Sequence, residues 1–129
     1  GKYVANQVIK LMLKKGIQVL GSHILVLGFT FKENCPDVRN TRVIDIVNTL
    51  KEYNAEVTVH DPWAYPEIAK QEYGIEIHNE LPNEKFDAVI LAVAHNEFKS
   101  LDLSQITNGD KVIFDVKGVL ENSSVDGKL

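Results

Sequence analysis

Two stretches of this chain are apolar at every successive position: ILVL at 24–27 and AVILAV at 88–93. A strand with one wet face alternates apolar and polar residues. A short unbroken run of β-branched and leucine side chains instead belongs to a strand covered on both faces, the condition of a parallel sheet. AEVTVHDP (55–62) and KVIFDV (111–116) add two further strand-like runs, and IEI (75–77) is too short to assign firmly.

Helical patterns separate these runs. Val4, Val8, Leu11 and Met12 form one stripe over 2–15, with Lys2, Lys10, Lys14 and Lys15 outside it and Gly16 as a C-cap. Val43, Ile46, Val47 and Leu50 form a second stripe, with Asn40 or Thr41 as N-cap. PEIAKQEYG (66–74) carries proline in its first turn and glycine after its end. Short helices or turns are expected near 96–100 and 104–106, and ENSSVDGKL reads as a tail. No internal repeat or low-complexity segment is present in the sequence.

Strands alternating with helices predict an α/β fold, a Rossmann-like three-layer domain with a mostly parallel sheet of about five to six strands, preceded by one helix. Ligands in such sheets sit beyond the carboxyl ends of the strands, near the reversal in strand order. The charged turns singled out below each follow a strand.

Composition narrows the partners. With 129 residues, 44% of them hydrophobic and 25% charged, the chain has the make-up of one globular domain. A net charge of −4 argues against nucleic acid, whose phosphates call for basic surfaces. No apolar run reaches the roughly 18 residues of a membrane span. A single cysteine, Cys35, allows no internal disulfide and fits a reducing compartment, so a cytoplasmic location is expected. No leader pattern opens the sequence, and the helical pattern beginning at once suggests a piece of a longer protein.

The stretch GFTFKENCPDVRNTR (28–42) concentrates the chemistry. A dinucleotide fingerprint would place glycines at 30 and 33, where Thr30 and Glu33 stand, so a standard NAD pyrophosphate turn is excluded there. Lys32, Arg39 and Arg42 instead lie beside a helix N-terminus, where free N–H groups and the helix dipole favour anions. Phe31 could stack on a base or sugar. The alternative is that Arg39 and Arg42 pair with Asp37, Asp45 or Glu33 and tie the loop down.

Other residues read as structural. Asp61 is expected to accept backbone N–H groups in the turn before Pro62. Trp63 is expected to cover the sheet edge or a domain contact, and His95 to cap the turn after the third strand. Cys35 reads as a packed small side chain, and His23, His60 and His78 show no metal-ligand spacing.

LGFTFKENCPDVRNTR, followed by VTVHDPW, resembles the C-terminal domain of the UDP-glucose/GDP-mannose dehydrogenase family. The shared pattern is a strand, G-x-x-F-K, D-x-R, a helix, and a strand ending in D-P. N-C-P-D, N-T-R, D-P-W and AVAHNEF are most similar to the members that oxidise UDP-N-acetylhexosamines for bacterial surface polysaccharides. The resemblance implies that Phe31 and Lys32 contact the nucleotide-sugar, with Lys117 on the nucleotide part, and that Arg39 reaches an NAD held mainly by another domain. Some members carry arginine where Lys117 stands, and lysine lacks that forked geometry.

The resemblance further implies that residues 1–16 end a helix from a central, dimer-forming domain, that 17–121 bind the nucleotide-sugar, and that 122–129 are the tail. The whole enzyme would be a homodimer oxidising the C6 alcohol of a UDP-sugar, UDP-N-acetylhexosamine or UDP-glucose, to a carboxylate with two NAD. Its nucleophilic cysteine lies in a glycine-rich motif that this sequence lacks; Cys35 in N-C-P-D is not that residue. No catalytic residue and no metal site is therefore assigned, and this stretch alone is expected to be inactive. A non-enzymatic nucleotide- or protein-binding regulatory module remains the alternative.

Overall fold

The computed structural model of the protein describes residues 1–120 and 125–129. Among them run α1 (Lys2–Lys14), β1 (His23–Leu27), α2 (Val43–Glu52), β2 (Glu56–His60), α3 (Pro66–Tyr73), β3 (Ile77–His78), β4 (Phe86–Leu91), α4 (Asn96–Lys99), a 3-10 turn (Leu103–Gln105), β5 (Thr107–Asp115) and β6 (Gly127–Lys128). The strands form one sheet in the order β3-β2-β1-β4-β5-β6, with every neighbouring pair parallel. The chain moves outward from β1 to one edge, then returns to β1 and moves outward to the other. The reversal falls between β1 and β4.

The unbroken apolar runs are explained by the two cores they serve. Ile24 and Val26 of β1, Ala88 and Ile90 of β4, and Val112 and Phe114 of β5 face α1, α2 and α3. Leu25, Leu27, Val89, Leu91 and Ile113 face the other way, onto Phe98 and Leu103. Among the described residues that second cover comes from α4 and the 3-10 turn, with Leu81, Leu101, Leu120 and Val125 packed against the same cluster. Each fully buried aliphatic side chain contributes about 1.5–3 kcal/mol.

Local signals set most boundaries. Pro66 opens α3, and Gly74 closes it at φ +69°. At α2, Thr41 Oγ1 accepts the Val43 N–H at 3.1 Å, so threonine supplies the acceptor while Arg42 occupies the position before the helix.

Two segments depart from the expected reading. The last long strand begins at Thr107, not Lys111, because Thr107 pairs with Phe86 before a register shift brings Val112 opposite Ala88. The expected tail is partly sheet: Gly127 and Lys128 pair with Phe114 and Asp115 as β6. The Asp126 carboxylate accepts the Ile113 N–H at 2.8 Å and meets Lys15 Nζ at 2.6 Å. A side chain on Gly127 would come within 2.9 Å of the Phe114 ring, so glycine lets this edge strand dock. Residues 122–124 of the expected tail lie outside the described residues.

Candidate functional site

Residues just beyond β1 and β4 build the reversal point of the sheet. Gly28 leaves β1 at φ +93°, and a Cβ there would lie 2.6 Å from Val93 Cβ. Its glycine therefore serves the passage of the β4 end, not the approach of a phosphate. The next two N–H groups, those of Phe29 and Thr30, donate to Asp61 Oδ2 at 2.7 and 3.1 Å. In a dinucleotide-binding turn such groups would be free for pyrophosphate. The residues present do not fit an NAD pyrophosphate: the anion in this turn is the protein's own carboxylate.

Asp61 has the structural role expected of it. Its Oδ1 accepts from the Trp63 and Ala64 N–H groups at 2.7 and 3.1 Å, and its Oδ2 lies 3.0 Å from His95 Nε2. Burial by itself pushes the carboxyl upward, but the hydrogen bonds from His95, Phe29 and Trp63 outweigh it and hold the group below the ordinary carboxylate range.

His95 stands at the N-cap of α4, as expected, and its carbonyl accepts the Phe98 N–H at 3.0 Å. Its side chain does not cap α4; instead Nδ1 accepts the backbone N–H of Asn34 at 2.9 Å, across the sheet end. The ring is fully buried because Trp63 stacks on it at 6.0 Å and Phe98 lies at 5.5 Å. Trp63 is thus a cover, fastened by Nε1–H donation to Glu97 Oε1 at 2.9 Å. The loop after β1 is held from the α3 side as well: Phe29 meets Tyr73 edge-on at 5.5 Å, and Tyr73 Oη donates to Val38 O at 2.7 Å.

A cleft of about 560 Å³ opens at this reversal point. Phe31, Arg42 and Lys117 line it, above a floor that includes Thr30, Ala92 and Val93. The volume is that of a small-molecule site. Among the described residues no Asp or Glu side chain lines the cleft, and neither the Arg42 nor the Lys117 side chain has a hydrogen-bond or ion-pair partner. Phe31 keeps 53% of its surface exposed at the rim, an apolar ring available for stacking. Lys117 is presented by a turn that Asp115 organises: its carboxylate accepts the N–H groups of Lys117, Gly118 and Leu120 at 3.1, 2.8 and 2.7 Å. A locally cationic cleft on a chain of net charge −4 concentrates an anionic ligand at one place.

The structure thus brings Phe31 and Lys117 together with Arg42, and separates them from Lys32 and Arg39. Lys32 is exposed on the loop beside Phe31 without lining the cleft. Arg39 points to another surface, beside Tyr65, Ile68 and Glu72, and is held by Asp37 through Nε–Oδ1 at 3.0 Å and Nη2–Oδ2 at 3.2 Å. That pair keeps Arg39 protonated beyond its ordinary range and holds Asp37 below its own. Arg42 is legible in sequence as a loop cation. Its place opposite Lys117 depends on strand order, which no local pattern carries.

Strand order and site together define a Rossmann-like α/β module with a cationic cleft at its topological reversal, suited to an anionic ligand. The chain belongs to the UDP-glucose/GDP-mannose dehydrogenase family, matching its UDP binding domain over residues 25–122. Over its whole length it is 47% identical to the UDP-N-acetyl-D-glucosamine 6-dehydrogenase of Salmonella typhi and 45% to that of Pseudomonas aeruginosa, covering 31% of each. The solved structure of a UDP-glucose dehydrogenase from Pyrobaculum islandicum matches 98% of this chain with a TM-score of 0.74 at 30% identity, over 29% of its own length. The chain therefore spans about a third of the length of the curated relatives it matches.

Proposed function

We propose that this chain is the UDP-sugar-binding domain of a longer, NAD-dependent UDP-sugar 6-dehydrogenase. The observation that carries the reading is the pair of cations, Arg42 and Lys117, without a side-chain partner among the described residues, facing one cleft beside the exposed Phe31 ring. Arginine offers a fork to phosphate oxygens and lysine a point charge, so together they suit a diphosphate. Phe31 walls the nucleoside or sugar, and Lys32 meets the ligand from the loop rim. A UDP-N-acetylhexosamine is the substrate that the relatives at 47% and 45% identity favour, with UDP-glucose the neighbouring choice.

Binding a diphosphate far from the reacting carbon uses remote binding energy to orient C6. NAD oxidises that carbon from a separate domain, and Arg39 is the contact this chain offers toward it. Residues 1–16 end a helix of a central domain, through which the enzyme is a homodimer; the enzyme works in the cytoplasm and supplies uronates for surface polysaccharide. Substituting Lys117→Ala in the full-length enzyme is expected to raise the UDP-sugar KM roughly 10- to 100-fold, as for loss of a charged hydrogen bond, with the KM for NAD unmoved. An unchanged UDP-sugar KM would contradict the reading.

A further inference from the structure

We propose that His95 is a positioning residue for nucleotide-sugar binding: without touching ligand, it fixes the 30–34 loop that carries Phe31 and Lys32. The inference rests on the reading of the cleft given above.

Both ring nitrogens are committed to that loop. Nδ1 accepts the Asn34 N–H at 2.9 Å, so it carries a lone pair, and the ring proton resides on Nε2. Nε2–H then faces Asp61 Oδ2 at 3.0 Å and Thr30 Oγ1 at 3.1 Å. The Thr30 hydroxyl donates onward to the Lys32 carbonyl at 3.0 Å. One imidazole therefore secures Thr30, the carbonyl of Lys32 and the amide of Asn34. Asn34 closes the clasp by accepting the Asn96 N–H through Oδ1 at 3.0 Å, and itself sits at φ +56°.

A packing role alone would be met by leucine. What leucine could not supply is an acceptor on one side of the ring and a donor on the other, directed at two ends of a five-residue loop. Asp61 completes the frame by holding Phe29 and Thr30 from β2, so the loop is fixed to the ends of both β2 and β4. With the ring fully buried beneath Trp63, His95 has no path to a ligand and acts only through the loop.

Two conservative variants separate the contacts. His95→Asn leaves an amide oxygen near the place of Nδ1 and loses the donor; His95→Gln leaves an amide N–H near the place of Nε2 and loses the acceptor. In the full-length enzyme each is expected to raise the UDP-sugar KM roughly three- to tenfold, and His95→Leu to raise it further, with the NAD KM unchanged. A role in folding alone would lower the active fraction, and so kcat, while leaving KM in place.

UDP-sugar KM values within twofold of wild type in all three variants, alongside a raised KM for Lys117→Ala, would overturn the His95 proposal alone. No change in Lys117→Ala either would remove the cleft reading, and this inference with it. If the variants do not fold, ring nitrogen chemical shifts of 15N-histidine wild-type enzyme decide: a lone pair on Nδ1 and the proton on Nε2 are expected. An Nδ1–H tautomer or an imidazolium would overturn the proposal.

Discussion

Asp61 Oδ2 accepts the Phe29 N–H at 2.7 Å, joining the end of β2 to the turn after β1 with a buried carboxylate. This bond occupies backbone that in a dinucleotide-binding turn would be open to pyrophosphate. The cationic cleft forms one step further along, where Phe31, Arg42 and Lys117 meet.

Asp61→Asn is expected to destabilise the protein by about 2–4 kcal/mol, because an amide NH2 would replace one acceptor among converging N–H donors. The sign of the pH effect follows from the lowered carboxyl of the folded state. Its stabilisation is fully present above the unfolded carboxyl value of about 3.9 and is lost as pH falls through the lower folded value. Urea midpoints measured between neutral pH and pH 3 should fall toward acid in wild type, with a shallower acid limb in the variant. Equal slopes would count against Asp61.

Gly28→Ala is expected to cost about 2–5 kcal/mol, combining the left-handed backbone with overpacking against Val93. Equilibrium denaturation reads this directly. A near-neutral result would mean that the β4 end can move aside.

The layering of this fold was legible in sequence because ILVL and AVILAV are short, β-prone and unbroken, the pattern of a doubly covered strand. Pro66 and Gly74 marked α3 for equally local reasons. What stayed hidden depended on contacts distant in sequence. β6 is two residues long and carries no apolar period, only a glycine that lets it approach Phe114. His95 is a local cap through its backbone, yet its side-chain partners Thr30, Asn34 and Asp61 lie beyond other strand ends. Phe31 and Lys117 share a cleft only because β4 and β5 follow β1 in the sheet order.

Arg39 lies outside the cleft, so Arg39→Ala should leave UDP-sugar affinity unchanged and weaken NAD binding, measured by titrating intact protein with each ligand. Its exposed pair with Asp37 contributes little to folding, and the thermal midpoint should scarcely move. A loss confined to UDP-sugar binding would contradict this division.

Asp115→Asn should raise the UDP-sugar KM by less than Lys117→Ala does, since it loosens the turn presenting Lys117 and leaves the charge in place. Steady-state kinetics of the two variants side by side give the ordering. A larger effect on NAD than on UDP-sugar would be inconsistent with it.

A crystal structure of the intact protein with UDP bound tests the central claim most directly. The diphosphate should lie within hydrogen-bonding distance of Lys117 Nζ and the Arg42 guanidinium, with the Phe31 ring against the nucleotide. UDP bound elsewhere, with both cations turned to bulk solvent, would contradict the account.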